Sequence, residues 1–248
     1  MTTVGKRTPV LPNGLKSETG NFMHENEFNR AVVANLDIIL KRCGFRTLLV
    51  APTDEDVPLK TRTDLANAKK ADAFISIHAN AFDGKFDGND PEGIETFHYP
   101  SSTNGKRLAT LVHNHLIKGT KQKNRGVKSA NLHVLRETKM VAILVEAGFM
   151  DNLYEAKLLL SDSFREEVAT EIAKGICEYF NVPYVPKKEV IQMPNISKPG
   201  NNVPSSWAQE SWNWAKQVGL LDGTRPKDPI TREEMAVVLK RLVDKRMI

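Results

Sequence analysis

Two short apolar runs, each ending at a titratable residue, constrain the fold of this chain most strongly. Residues 73–78 (AFISIH) end in His78, and residues 141–145 (VAILV) are followed directly by Glu146. Continuous apolar runs of this length indicate strands that are buried on both faces. In open parallel sheets, functional groups collect where strands reach their carboxyl ends. We therefore expect His78 and Glu146 to lie at one edge of a sheet.

The segments around these two runs alternate between helical and strand-like patterns. Apolar residues at spacings of three or four predict helices over residues 25–43, 58–70, 104–118 and 152–180. Two further β-rich runs predict strands over residues 46–51 (RTLLVA) and 93–99 (GIETFHY). This alternation predicts an α/β fold: a mostly parallel, twisted sheet with helices on both faces.

The chain of 248 residues is long enough for one such domain and a small appendage. We place the domain at residues 1–181, a proline-rich linker at 182–204 and a small α-helical module at 205–248. Trp207, Trp212 and Trp214 lie together in that module, where they pack a small core or face a ligand. A turn at residues 222–224 and a capping box at residues 231–234 predict a second helix there.

Charge and apolar content exclude several classes of function. The net charge is +5, but the basic surplus lies mostly after residue 181, without the basic, aromatic-studded stripe of a nucleic-acid interface. No apolar run approaches the roughly 20 residues that cross a bilayer, and residues 1–7 lack a signal peptide's apolar core. Cys43 and Cys177 fall on apolar helix faces, which favours core thiols over a disulfide or a nucleophile.

Three residues carry candidate chemistry, each with a plain structural alternative. His78 leaves its strand into small residues, which suits a metal ligand, although a satisfied loop histidine would look the same. Glu146 follows four apolar residues, and this low-dielectric setting suits a general base near neutrality. A helix cap or an ion-paired carboxylate is its alternative. Glu25 opens a helix, where the helix dipole alone already favours acidic residues.

Together these residues resemble a known family. Four blocks are similar, in order, to zinc-dependent N-acetylmuramoyl-L-alanine amidases of autolysins and phage endolysins, whose fold is also shared by zinc carboxypeptidases. The blocks are Glu25-Asn26-Glu27-Phe28-Asn29, the stretch from Leu59 to Ala81 with its Ser76-Ile77-His78-Ala79-Asn80 core, Gly93-Ile94-Glu95-Thr96, and the stretch from Leu132 to Asn152 around Glu146.

The resemblance implies a site and a reaction. Glu25 and His78 would be ligands of a catalytic Zn²⁺, and Glu146 would be the general base that activates a water molecule. The water would cleave the amide between N-acetylmuramic acid and L-alanine in peptidoglycan. Glu25 is preferred over Glu27, which lies two residues further around the helix. Candidate substrate contacts are Asn80, Arg136 and His133.

One family element is missing from the sequence. The first zinc ligand of the family is a histidine in a Gly-His-Gly-like turn after an N-terminal strand, and this chain has neither. His24 is a weak substitute because its neighbour Glu25 points about 100° away on a helix, and His113 and His115 are expected on a surface helix. N-terminal truncation, another ligand, or a metal-free, catalytically impaired wall-binding protein would each explain the gap.

The tail resembles a second known module. Residues 206–243 are similar to a single S-layer homology repeat through Trp207-Ala208, Trp214-Ala215, residues 219–223 and residues 230–237. Such repeats imply binding to secondary cell-wall polymers. The resulting hypothesis is a modular peptidoglycan hydrolase with neither nucleic-acid nor membrane partners. It would stay cytoplasmic until lysis, or be secreted if an N-terminal segment is missing. A zinc carboxypeptidase is a weaker alternative that the tail disfavours.

Overall fold

The computed structural model describes residues 7–187, 204–221, 235, 237–240 and 242. The chain forms two units, Met1–Lys187 and Lys188–Ile248. The first unit contains six helices and four strands among its described residues. The helices are α1 (Glu25–Arg42), α2 (Leu59–Ala68), α3 (Thr103–Thr120), α4 (His133–Arg136), α5 (Leu153–Leu159) and α6 (Asp162–Phe180). The strands are β1 (Ala73–Asn80), β2 (Ile94–His98), β3 (Asn124–Ser129) and β4 (Val141–Phe149).

The four strands form one sheet in the order β1-β4-β2-β3. β1 pairs with β4 and β2 pairs with β3 in parallel, whereas β2 and β4 are antiparallel. The α/β class is therefore confirmed, and the sheet is mixed, with two of its three strand pairs parallel. Because β2 runs opposite to β4, the beginning of β2 lies beside the end of β4.

Alternating side chains of the strands fill two hydrophobic clusters on opposite faces of the sheet. On one face, Ile77, Ile143 and Val145 pack with α1, α3 and α6 in the larger cluster. On the other face, Phe74 and Leu144 pack with residues of α2 and α4 in a smaller cluster. Helices thus cover both faces, as the sequence pattern predicts, but α2 and α4 are short and cover less of their face.

The predicted strand at residues 46–51 is wrong: these residues have no regular secondary structure. Leu48 and Leu49 are 41% and 40% exposed, so the segment is not a buried strand either. Strand propensity measures how well side chains fit a pleated surface, and a strand also needs a hydrogen-bonding partner. Among the described residues none pairs with this segment.

Two other elements differ from the sequence expectation. β3 is a strand whose residues, NRGVKS, are mostly polar, so it gives no apolar alternation to detect. The predicted helix over residues 152–180 is divided into α5 and α6 at Leu160 and Ser161, because Ser161 begins a new helix as its N-cap. The remaining helices and strands predicted within residues 1–181 are confirmed, with ends that shift by a few residues.

The two cysteines are core side chains, as the sequence predicts. Cys43 and Cys177 are both buried free thiols, which confirms the core-thiol interpretation over a disulfide.

The expected surface position of His113 is wrong, because this residue is buried, with 3% exposure. Its Nδ1 lies 3.1 Å from Thr96 Oγ1 and its Nε2 lies 2.8 Å from Asn124 Oδ1. His113 therefore joins α3 to β2 and β3 as part of the core.

In the second unit, a 3-10 helix at Ser206–Ala208 leads into α7 (Gln209–Gln217). Trp207 is 79% exposed and Trp214 is 48% exposed, so neither is a core side chain within the described residues. The predicted turn at residues 222–224 and the capping box at 231–234 lie outside the described residues. Across the described parts of both units, no helix has the length and apolar character needed to cross a membrane.

Candidate active site

Three titratable residues on three adjacent strands form a row across the sheet. His78 is the register partner of Glu146 in the β1–β4 pair, and Glu95 is the register partner of Glu146 in the β2–β4 pair. Register partners project from the same face of a sheet. We call His78, Glu146 and Glu95 the titratable row. It lies on the face that carries Phe74 and Leu144, the face that the short helices cover less.

Glu25 reaches the first member of the row from the start of α1. Its Oε1 lies 2.6 Å from His78 Nδ1, and its side chain is fully buried. The other ring nitrogen of His78, Nε2, lies 3.0 Å from Ser76 Oγ. A carboxylate can be buried at this position because the imidazole and the positive end of the α1 dipole both offset its desolvation.

Glu27 serves a different purpose from Glu25. Its Oε1 accepts a hydrogen bond from Arg165 Nη2 at 2.8 Å, and both side chains are buried. Arg165 also donates from Nε to the carbonyl of Leu159 at 2.7 Å. Glu27 therefore ties α1 to α6 inside the protein. The structure places Glu25, and not Glu27, against His78, in agreement with the helical phase.

Glu25 and His78 supply the types of donor that zinc prefers, a carboxylate oxygen and an imidazole nitrogen. Catalytic zinc sites use three protein ligands. Within the described residues, no group of three or more His, Cys, Asp or Glu side chains could hold a metal ion. His24, whose backbone pairs with Arg7, thus completes no three-residue set there. The two residues fit zinc as a partial set, and the third ligand stays unassigned.

Glu146 occupies the centre of the row in a half-buried position between Val145 and Ala147, which are fully buried. The strand therefore holds its backbone rigidly, with His78 beside it on β1. A carboxylate that is partly withdrawn from water and remains accessible is suited to exchange protons with a bound reactant.

Glu95 forms the other end of the row and is surrounded by three donors. Its Oε2 accepts hydrogen bonds from Arg125 Nε at 2.9 Å and from Lys128 Nζ at 2.5 Å. Its Oε1 accepts from Asn80 Nδ2 at 3.1 Å. Burial would raise the pKa of the Glu95 carboxyl, but the hydrogen bonds from Lys128 and Arg125 outweigh this effect and hold it below its usual value of 4.5. Glu95 is therefore ionised at neutral pH.

Two further carboxylates shape the backbone around the row. Glu155 accepts hydrogen bonds from the N–H groups of Gly93 (2.8 Å) and Phe149 (2.7 Å), which fixes the start of β2 against the end of β4. Asp151 Oδ2 accepts from three successive N–H groups at residues 82–84, at 2.6–2.9 Å. Both are buried, and they hold the chain that leaves β1 and β4.

The candidate substrate residues occupy three different settings. Asn80 lies in the row's network through Glu95. Arg136 is exposed and donates to Glu137 Oε1 at 2.6 Å and to Asn131 Oδ1 at 2.9 Å. His133 is half-buried at the start of α4. Of the three, only Asn80 is tied directly to the titratable row by a hydrogen bond that the structure shows, and the substrate role of all three stays a prediction.

Sequence reasoning did not identify the two cations at this end of the row, Arg125 and Lys128. They lie on β3, which has no apolar signal of its own. One signal was available: Glu95 is the acidic residue of a strand, IETFH, whose Ile94 and Phe97 indicate burial, and a buried acidic residue needs a cationic partner. Asp151 and Glu155 were likewise missed as backbone anchors, although Asp151 lies within the block around Glu146 and Glu155 follows it by three residues.

A cavity of about 660 Å³ lies beside the His78 end of the titratable row, opposite Glu95. It is bounded by α1, by the unpaired segment at residues 46–51 and by β1, whose outer edge has no strand partner among the described residues. Ser76 and His78 belong to its wall. The cavity thus opens next to the Glu25–His78 contact.

The fold and the row define the class: an α/β protein whose sheet carries a histidine–carboxylate site suited to hydrolysis. The family follows from comparison with known proteins. The sequence profile of the N-acetylmuramoyl-L-alanine amidase family matches residues 13–178, which is more than half of the chain. This chain belongs to that family.

Individual relatives agree with this assignment. The endolysin of Bacillus phage SPP1 is 36% identical over 198 residues, which cover 75% of this chain and 68% of the endolysin. The N-acetylmuramoyl-L-alanine amidase CwlM of Bacillus licheniformis is 39% identical over 138 residues. That match covers 54% of this chain and 51% of CwlM. The chain thus spans only about half of CwlM.

Solved structures show the same fold. The catalytic domain of CwlV from Bacillus (Paenibacillus) polymyxa superposes with a TM-score of 0.60 at 34% identity, over 64% of this chain and 87% of that domain. An N-acetylmuramoyl-L-alanine amidase from Clostridium difficile 630 gives a TM-score of 0.61 at 31% identity, over 68% of this chain and 89% of that one. Both similarities confirm the α/β architecture.

Proposed function

We propose that this chain is a peptidoglycan hydrolase that cleaves the amide between N-acetylmuramic acid and L-alanine. The observation that carries the proposal is the contact of Glu25 with His78 beside Glu146 on one sheet face, in a chain of this family. Relatives described as amidases and as an endolysin support the choice of substrate class.

Zn²⁺ would be held by Glu25 and His78, and when bound it polarises the amide carbonyl and acidifies water. Glu146 accepts a proton from the attacking water, which adds to the carbonyl carbon of the lactyl group. The same carboxyl then donates that proton to the nitrogen of L-alanine as the C–N bond breaks. The half-buried position of Glu146 suits both proton transfers, because it is partly desolvated and still accessible.

The described residues supply two of the three protein ligands that a catalytic zinc site uses. Two protein ligands alone would bind zinc weakly, since affinity depends on the number and geometry of ligands.

A second candidate function is a metal-free or catalytically impaired wall-binding protein. It is favoured by one observation, that the described residues supply no three-residue metal set. In this case the Glu25–His78 hydrogen bond would simply be structural, and the protein would bind peptidoglycan without cleaving it.

The tail would act as the targeting module in either case. We propose that residues 205–248 bind a secondary cell-wall polymer in the manner of an S-layer homology repeat, and the exposure of Trp207 and Trp214 supports a ligand-facing role. The protein would act on the bacterial wall either after release from the cell at lysis or after export.

One experiment separates these functions. The full chain is incubated with purified peptidoglycan, with added zinc or with a chelator, and newly freed L-alanine amino groups are quantified. Zinc-dependent release that Glu146→Gln abolishes supports the amidase. Binding to the wall that survives the chelator, with neither release nor bound zinc, rejects the amidase and supports the binding protein. Release of other amino termini would indicate a peptidase.

A further inference from the structure

The end of the titratable row carries more positive than negative charge. Arg125 and Lys128 both bond to one carboxylate oxygen of Glu95, so the group of three has a net charge of +1. One cation already neutralises the buried Glu95 carboxylate, and the second leaves a net positive charge on this group of three. The second cation can therefore bind another anion.

The two cations are accessible although their shared anchor is not. The Glu95 side chain is 7% exposed, whereas those of Arg125 and Lys128 are 28% and 42% exposed. An ammonium group has three N–H donors and a guanidinium has five. Beyond Glu95, Arg125 donates only a long 3.4 Å bond to the carbonyl of Glu92. Both cations thus retain N–H donors that can bind a ligand entering from solvent.

Glu95 and its neighbours hold these cations in place. Glu95 is fixed by the pairing of β2 with β4 and by the amide of Asn80. The Arg125 guanidinium also lies 4.9 Å above the centre of the Phe149 ring, a favourable cation–π contact. A cation site that is oriented before a ligand arrives loses less conformational entropy on binding.

The distance from Glu146 limits which anion can reach the cations. β3 lies two strand spacings, about 10 Å, from β4, and the side chains of Arg125 and Lys128 lean back over β2 towards Glu95. An extended peptide advances about 3.3–3.6 Å per residue. A carboxylate one residue beyond L-alanine therefore lies about 7 Å from the scissile amide. This distance is shorter than the spacing of about 10 Å between β4 and β3, so the carboxylate can reach the cations. Groups further along the stem peptide would extend past them.

We propose that Arg125 and Lys128, tethered by Glu95, form a carboxylate-binding subsite for the residue that follows L-alanine in the stem peptide. The proposal rests on the proposed amidase function. The ligand group is the free α-carboxylate of a γ-linked glutamate, which a pair of cations binds through charge-assisted hydrogen bonds. The subsite distinguishes this carboxylate from the corresponding carboxamide, which is uncharged.

The test uses two substrates that differ only in this group, N-acetylmuramoyl-L-alanyl-D-glutamate and N-acetylmuramoyl-L-alanyl-D-isoglutamine. We expect the full chain with zinc to favour the acid over the amide in kcat/KM by about 5- to 10-fold, a value that allows for the partial exposure of the cations. Lys128→Gln and Arg125→Gln should each reduce this ratio to about 2-fold or less. Added salt should reduce it as well.

Lys41→Gln is the matched control. Lys41 is also an exposed lysine paired with a carboxylate, Asp37, at 2.8 Å, but it lies at the far end of α1, about 24 Å along the helix from Glu25. It should keep the acid-to-amide ratio of the unmodified chain. Thermal unfolding of each variant checks that a lowered rate does not reflect a lost fold.

A binding measurement keeps the proposal testable without catalysis. The affinity of Glu146→Gln protein for each compound is measured by calorimetry, with and without Lys128→Gln. Hydrolysis without preference for the acid, or a preference that Lys128→Gln leaves intact, overturns the subsite and leaves the amidase standing. Failure to cleave either compound, with binding that still favours the acid through Lys128, rejects the amidase and supports the subsite. Equal binding of both compounds overturns the proposed subsite.

Discussion

Glu25 Oε1 and His78 Nδ1 lie 2.6 Å apart although 53 positions separate the two residues in the chain. The contact joins the start of α1 to the end of β1 and places a buried carboxylate directly on an imidazole ring. Glu27, only two positions later, instead faces Arg165. Two acidic residues of one helical turn thus serve a candidate metal site and the protein core.

The first prediction contrasts these two glutamates. Glu25→Gln keeps an oxygen that can accept from His78, so we expect a loss of only about 1 kcal/mol in unfolding free energy. Its zinc affinity should fall by about 100-fold or more, because a charged ligand is lost. Glu27→Gln should keep its zinc affinity but lose about 3–5 kcal/mol of stability, because the buried Arg165 charge loses its buried partner and keeps only the exposed Asp162, at 3.6 Å.

Urea unfolding and zinc calorimetry on both variants check this contrast. The loss of zinc affinity should occur in Glu25→Gln, and the loss of unfolding free energy should occur in Glu27→Gln. A Glu25→Gln protein that unfolds as easily as Glu27→Gln and binds zinc as tightly as the unmodified chain would show that Glu25 has a structural role only.

The second prediction concerns the general base. Glu146→Gln preserves the shape of the side chain and removes its ability to accept a proton. We expect release of L-alanine amino groups to fall by about 10²- to 10⁴-fold, the usual contribution of a general base. Glu166→Gln is the control, since Glu166 is an exposed glutamate on α6 that pairs with Lys187 at 3.0 Å. Undiminished release by Glu146→Gln would remove Glu146 from the mechanism.

Much of this site can be predicted from the sequence, because its parts coincide with strong local signals. His78 and Glu146 end apolar runs, and the phase of α1 distinguishes Glu25 from Glu27. Pairing between distant strands is different, since it depends on partners that a local pattern does not contain. For that reason residues 46–51 have a strand pattern but no partner.

The cationic end of the row was hidden for a related reason. β3 is a polar strand at one edge of the sheet, so the apolar alternation that reveals buried strands is absent. Arg125 and Lys128 then look like ordinary surface cations. Their significance emerges only when β2 and β3 pair and bring both to Glu95.

The third prediction concerns the thiols. Burial, together with the hydrogen bond that the Cys177 S–H donates to Cys43, raises the pKa of the Cys177 thiol to about 12, so almost none of it is thiolate at neutral pH. Since the thiolate is the reactive form, we expect neither cysteine to react with iodoacetamide in the native protein at pH 7.5. Both should react in urea. Mass spectrometry counts the added groups, and rapid native labelling would contradict the buried arrangement.

The last prediction is a pH dependence of stability that originates in His113. Burial lowers the pKa of this imidazole below its usual value of 6.5, and the hydrogen bond with Asn124 offsets only part of this effect. Below pH 6.5 the unfolded chain therefore binds a proton that the folded protein does not. Its contribution to stability is complete above pH 6.5 and is lost as the pH falls towards the lower pKa of the folded state.

Urea unfolding at pH 7.5 and pH 5.5 measures this loss. His113→Gln keeps a polar group between Thr96 and Asn124 but does not titrate, so it should be less stable than the unmodified chain at pH 7.5. Its unfolding free energy should then fall less between the two pH values. The comparison isolates His113, because all other titrating groups are shared. Equal losses in the two proteins would mean that the buried imidazole accepts its proton without unfolding, through rearrangement of its contacts with β2 and β3.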